Sequence, residues 1–259
     1  MKNASSKKAS YGCASRTSLT VGTVAGWLDA ELRLADFHDV SHNGLQLGDA
    51  DAPLSSVAFA VDASVRSVCA AAASGAQLLV VHHGISWGGG IERLTGGVYN
   101  VAKAAIEGRV AIYAAHLPLD ASRKYGNNWE LARYLGLTRL EPAFSYHGNV
   151  IGLVGYNRHD RKIGVCSGGA GEFAAEAKAL GCDLYVTGEA SWGDRIAAEN
   201  VGMAMITAGH YETETFGVRA LAKAVKRRFR IETRFLPREG GAVVCDPGEK
   251  KTGAASRKI

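Results

Sequence analysis

Three histidine-bearing segments each lie where an apolar run ends. His82 and His83 follow "LLVV", His116 follows "IYAA" and opens "HLPLD", and His210 follows "MITAG" and opens "HYETE". Asp120 stands four residues after His116, and Glu214 four after His210. Neutral imidazoles with carboxylates suit zinc, manganese, iron or nickel better than calcium. The six candidates exceed what one tetrahedral ion uses. They suffice for two divalent ions if one carboxylate bridges and water fills the open positions. A single histidine at a strand end is more often a hydrogen-bonded loop residue than a ligand. Repetition at equivalent strand ends is what favours a metal centre.

The spacing carries further expectations. Neighbours on a strand face opposite sides, so His82 and His83 converge only if the chain turns after them, and Gly84 supports such a turn. Glu214 falls in the first turn of a helix predicted over "TETFGVRALAKAVKRR", where the helix dipole favours an ionised carboxylate and a bridging role. "CSGGAGEF" (166–173) sets glycines between a strand and a helix. It is either a tight turn or an anion-binding wall of the metal pocket, and it matches neither a Walker motif nor GxGxxG. Cys166 within it reads as a buried small residue rather than a nucleophile. In "HNGLQLGD" (42–49), Asn43-Gly44 signals a turn, Leu45 and Leu47 pack inward, and His42 and Asp49 read as solvated loop residues.

Alternating strand-like and helix-like runs must position these residues. Apolar runs at 55–63, 76–83 and 109–116 read as buried strands, separated by helices at 64–75 and 98–108. A helix at 20–34 precedes them, and one at 127–136 follows. From Asn149 the pattern resumes: strands in "NVIGLVGYN", "RKIGVCSGG", "CDLYVTGE", "MAMITAGH" and "IETRFLPR", helices in "GEFAAEAKALG", "WGDRIAAENVG" and the run after His210. This alternation predicts an α/β fold with mostly parallel or mixed sheets flanked by helices, and a site beyond the carboxyl ends of the strands. Residues 19–140 form a first half and 141–240 a second, interlocked half. The junction lies near Glu141–Gly148, where Pro142 and polar residues gather.

Composition narrows the function classes. The chain has 259 residues, a net charge of +5 and 47% hydrophobic residues. Its first eighteen residues hold four bases and no acid, and its last fourteen hold four bases against two acids, which leaves the body one charge negative. Such a body argues against a basic nucleic-acid-binding face. Lys226-Arg227-Arg228 reads as a helix C-terminus with favourable cations. Five cysteines without CxxC spacing argue against a disulfide framework and a thiolate zinc site. No apolar run approaches a membrane span. Residues 1–18 and 241–259 read as disordered, and the body as cytoplasmic, with organellar import through the basic start left open.

The ordered set "NGLQLG", "VVHHGISW", "HLPLDA…GNN", "CSGGAGEF", "TGEAS" and "AGHYETE…GVRAL" resembles the Nif-three-like dinuclear metal-centre family, in its short bacterial form, over roughly residues 20–238. The resemblance implies two divalent ions per chain. His82 and His83 would bind different ions, Asp120 joining His83, His210 joining His82, and Glu214 bridging; His116 would ligate or carry protons. It also implies a homo-oligomer, a hexameric ring with its metal sites facing an inner cavity. The chain departs from the pattern at His42, where relatives often carry proline or an acid, and in "SWGDR", which lacks a histidine found in long-form relatives. Some members are labelled type-two GTP cyclohydrolases, although fold and metal do not fix a substrate. The expected function is a metal-dependent hydrolase of a small nucleotide-like or phosphorylated substrate, with His116 as acid/base. The alternative is a non-catalytic metal-binding, storage or regulatory assembly protein. DNA threaded through the ring is a third reading, opposed by the body's charge.

Overall fold

The computed structural model describes residues 19–238. The basic start and the tail predicted to be disordered lie outside the described residues.

Two five-stranded sheets organise the chain. The first contains β1 (Gly44–Leu47), β2 (Ser56–Asp62), β3 (Leu78–His83), β4 (Ala111–Ala114) and β10 (Glu232–Phe235), in the order β1-β4-β3-β2-β10. Only β1 runs antiparallel to its neighbour. The second contains β5 (Thr138–Tyr146), β6 (Asn149–Tyr156), β7 (Lys162–Cys166), β8 (Leu184–Thr187) and β9 (Met205–Thr207), in that order. There β5, β6 and β7 are antiparallel, and β7, β8 and β9 parallel.

Strand alternation builds a core on each face of the first sheet. Val57, Phe59 and Val61 pack with α1 (Val21–Leu32) and α8 (His210–Phe229). Ala58 and Ala60 point the other way, toward α2 (Val65–Ala73) and α3 (Gly96–Gly108). The helix α1 forms because Val21, Val24, Ala25, Leu28 and Leu32 share one buried face and the Thr20 side chain caps its start. On the second sheet, Leu153, Ile163 and Val165 pack under α5 (Asn127–Tyr134), while Cys166 and Tyr185 pack under α6 (Ala174–Ala179) and α7 (Trp192–Asn200). The long α8 lies against both β2 and α5, so it joins the helix layers of the two sheets. It then delivers β10 to β2 of the first sheet.

Several local expectations change. The polar stretch read as a junction is β5 and its turn into β6: Pro142 pairs with Leu153 in an edge strand, where proline and exposed polar residues are tolerated. The segment 44–47 is a strand rather than only a turn. "LPLDA" is a short helix, α4 (Leu117–Ala121), so Asp120 lies in the first turn of a helix that directly follows His116. The helix carrying Glu214 starts at His210, which places Glu214 in its second turn rather than its first. No helix among the described residues is long and apolar enough to cross a membrane.

Candidate metal centre

The carboxyl ends of β3 and β4, the start of α4 and the start of α8 bring the sequence candidates together. His82 and His83 end β3, and their rings lie 4.7 Å apart. His116 follows β4, with its ring 5.1 Å from His82 and 5.7 Å from His83. The His210 ring is 5.7 Å from His83. The potential ligand atoms of His82, His83 and His116 lie within 4.8 Å of one another, as do those of His83, His210 and Glu214.

The carboxylates sit among these rings. Glu214 Oε1 is 3.6 Å from His82 Nε2 and 3.1 Å from His210 Nε2, and its Oε2 is 3.4 Å from His83 Nε2. Asp120 Oδ2 is 3.4 Å from His82 Nε2. The tandem histidines thus face different oxygens of Glu214. Asp120 stands beside His82, not His83 as the resemblance implied.

Each imidazole is held from behind through Nδ1. His82 Nδ1 bonds to Ala115 O at 2.9 Å, His83 Nδ1 to Asp62 at 2.8 Å, His116 Nδ1 to Asp39 at 2.9 Å and His210 Nδ1 to Glu189 at 2.9 Å. That fixes the tautomer and leaves Nε2 as the available nitrogen, the arrangement common behind metal-binding histidines. Asp39, Asp62 and Glu189, the carboxylates behind three of these histidines, were missed by the sequence reading. Asp62 and Glu189 had a usable signal, since each follows a buried apolar run as the histidines do. Asp39 had none, because it lies in an irregular segment and its partners at the site, His116 and Leu117 N, are 77 and 78 residues away.

Charge and burial make the pocket receptive to a cation. Burial opposes protonation of His82, but Asp120 and Glu214 outweigh it and hold its pKa well above the ordinary histidine value. Burial likewise opposes the charge on Glu214, yet His82, His210 and His83 keep its carboxyl well below the ordinary range. Pairing with Glu214 raises His210 to about 9 against its burial. Desolvation would raise Asp39, but His116, Asn43 and Ser41 N lower it to about 2. Two buried atoms, His82 Nε2 and Glu214 Oε2, have no hydrogen-bond partner. Buried polar atoms are normally paired. Two such atoms facing one pocket, among nitrogen and oxygen donors, fit divalent metal.

The surrounding motifs brace this set. Gln46 Oε1 accepts from Ile85 N at 2.6 Å and holds the chain after the tandem histidines. Gly84 is needed there for room, since a Cβ would collide with Gln46 Oε1 and Ala114. Asn43 Oδ1 accepts from His116 N at 2.7 Å. "CSGGAGEF" walls the pocket: a Cβ on Gly168 would lie 2.5 Å from Glu214 Oε1. Its first amides are already used, Ser167 N by Asn128 and Gly168 N by Thr213 Oγ1. Cys166 is fully buried, and burial pushes its thiol well above the ordinary value, which disfavours a nucleophile. His42 is exposed and bonds to Ser86 Oγ at 2.7 Å, and Asp49 is exposed and accepts from Asp51 N at 2.9 Å. Neither joins the cluster. Lys226, Arg227 and Arg228 occupy the last turn of α8.

The same chain matches known proteins over nearly all the described residues. The model of the family described as Duf34/NIF3 (NGG1p interacting factor 3) matches residues 19–160 and 148–239. A GTP cyclohydrolase 1 type 2 homolog from Halobacterium salinarum is 35% identical over 254 residues, covering 86% of this chain and 100% of its own length. One from Deinococcus radiodurans is 38% identical over 238 residues, covering 81% and 90%. A crystal structure of a Thermus thermophilus protein matches at 32% identity with a TM-score of 0.71, covering 86% of this chain and 100% of that one. Motif order, fold and full-length similarity agree, and the chain belongs to the Duf34/NIF3 family.

Proposed function

We propose that each chain holds two divalent metal ions and acts as a metal-dependent hydrolase of a small nucleotide-like or phosphorylated molecule. His82, His83, Asp120, His210 and Glu214 would hold them, with Glu214 shared between the two. The observation that carries this is the set of Nδ1-anchored histidines converging on a carboxylate whose two oxygens divide the tandem pair. Paired divalent ions activate water at neutral pH and offset charge that develops in a displacement. His116, held by Asp39, presents its other ring nitrogen to the pocket and is the group that holds or moves a proton there. Trp87 packs beside this pair, 5.1 Å from the His116 ring and 6.0 Å from that of His83. The relatives' cyclohydrolase name directs the first substrate screen to purine nucleotides. The chain assembles as a homo-oligomer, a hexameric ring by its family resemblance, which light scattering of the purified protein checks.

The test is elemental analysis of protein purified without chelator or affinity nickel, beside Glu214→Ala. About two equivalents of a transition metal, falling sharply in the variant, is the expected result. Little metal in either, even after reconstitution with zinc, manganese and iron, overturns the reading. With a turned-over nucleotide in hand, full activity in His116→Ala removes His116 from the mechanism.

A second reading, a non-catalytic metal-binding or regulatory assembly protein, is favoured by one observation. The amides of Ser167 and Gly168 are spent within the protein, which weakens the case for a phosphate site in the glycine-rich loop. Thermal shifts of metal-loaded protein with nucleotides and sugar phosphates separate the two, because a ligand bound only by the folded form raises Tm.

A further inference from the structure

Asp120 reaches the pocket with one oxygen only. Its Oδ1 accepts from Asn127 Nδ2 at 2.8 Å and from Ser167 Oγ at 3.2 Å, while Oδ2 faces His82. The other end of the Asn127 side chain does something unusual: Oδ1 accepts from Gly217 N at 2.7 Å, inside α8. That amide would ordinarily serve the helix's own ladder, one turn after Glu214. Only glycine permits the approach, since a Cβ on Gly217 would lie 2.7 Å from Asn127 Oδ1 and 2.9 Å from Leu119 Cγ. Asn127 is 0% exposed, so neither bond is replaced by water. Gly217 N can only donate, which fixes the amide with its nitrogen toward Asp120.

We infer that Asn127, assisted by Ser167, is a positioning residue of the proposed metal centre. Its single side chain ties Asp120 on α4 to the helix that carries His210 and Glu214. Two ligand-bearing elements from distant parts of the chain are thereby set at one spacing. Asparagine is the residue type required, because the position must donate to a carboxylate and accept from a backbone amide at once. Asn128 supports the same node, accepting from Ser167 N at 2.6 Å and donating to Ile151 O at 2.9 Å. The inference rests on the metal reading above, but it concerns which residues set affinity rather than how many ions bind.

The experiment is equilibrium dialysis against zinc, with bound metal counted per folded chain, for wild type, Asn127→Asp and Ser167→Ala. Thermal unfolding of each metal-free protein runs beside it. Asn127→Asp keeps the size and the acceptor for Gly217 N, and sets a second carboxylate against Asp120. Its zinc affinity should fall roughly ten- to a hundredfold. Ser167→Ala, which removes one of the two bonds to Asp120 and leaves the bond to α8, should fall less. A purely structural amide would lower the metal-free Tm and leave the zinc affinity of the folded chain as in wild type; that result overturns the inference. If Asn127→Asp does not fold, unchanged zinc affinity in Ser167→Ala overturns it instead. Failure of the two-ion reading shows separately, as a wild type that saturates at one equivalent, and the affinity comparison then holds for that ion. A wild type that takes up no zinc overturns both.

Discussion

The residues behind the candidate ligands differ in kind, and the difference has consequences. His82 is held by a backbone carbonyl, whereas His83, His116 and His210 are held by carboxylates. Of these carboxylates, Asp39 is the most enclosed, its side chain 2% exposed against 50% for Asp62 and 66% for Glu189. Because the Asp39 pKa is depressed to about 2 from 3.8, its contribution to stability is present above pH 3.8 and lost as the pH falls through about 2. Metal-free wild type should therefore exceed Asp39→Asn in stability at pH 5, and the gap should close toward pH 2. Chemical denaturation across that range measures it. Gly168 makes a second case at this scale. It has φ +69°, and a Cβ there would meet Glu214 Oε1 at 2.5 Å. Gly168→Ala should lower metal affinity by at least ~10-fold, because the shift falls on the carboxylate between the histidines. Metal retained at wild-type affinity by a folded Gly168→Ala would show that the loop yields instead.

At the scale of elements, α8 connects the site to the fold. His210 and Glu214 are four apart on it, so both face the pocket, while Val218, Leu221 and Val225 continue the buried face onto the first sheet. The glycine-rich loop docks against the same helix through Thr213, whose Oγ1 accepts from Gly168 N at 3.1 Å and donates to Gly209 O at 2.9 Å. Thr213 is 1% exposed. Thr213→Val keeps the shape and leaves the Gly168 amide buried without an acceptor, which costs about 1–3 kcal/mol. Urea unfolding of the metal-free variant should show that loss. A midpoint equal to wild type would mean that the loop finds another acceptor.

For the whole molecule, the site lies where the two sheets' layers meet, and metal should stabilise that meeting. Asp120, Glu214 and the four histidines come with the first sheet's strands, with α4 or with α8, while the second sheet contributes the glycine-rich wall after β7 and Glu189 after β8. An ion bound only by the folded chain adds about 2.7 kcal/mol at a hundred times its Kd. Chelation should therefore lower the Tm of wild type, and zinc should restore it. Glu214→Ala should respond to neither treatment.

The positions of the candidate histidines were legible in the sequence because buried strands announce themselves as apolar runs and each histidine segment stands where such a run stops, with Asp120 and Glu214 four residues after His116 and His210. The strand and helix alternation, and hence the fold class, were legible for the same reason. Edge strand β5 was not, because an exposed strand with a proline carries no apolar signature, and α4 was too short to show a period. Tertiary structure alone decided which residue stands behind each histidine, that Asp120 faces His82, and that β10 returns to the first sheet. Those pairings join positions such as 39 with 116 and 127 with 217. Contacts of that separation leave no local pattern, since only folding brings the partners within hydrogen-bond reach.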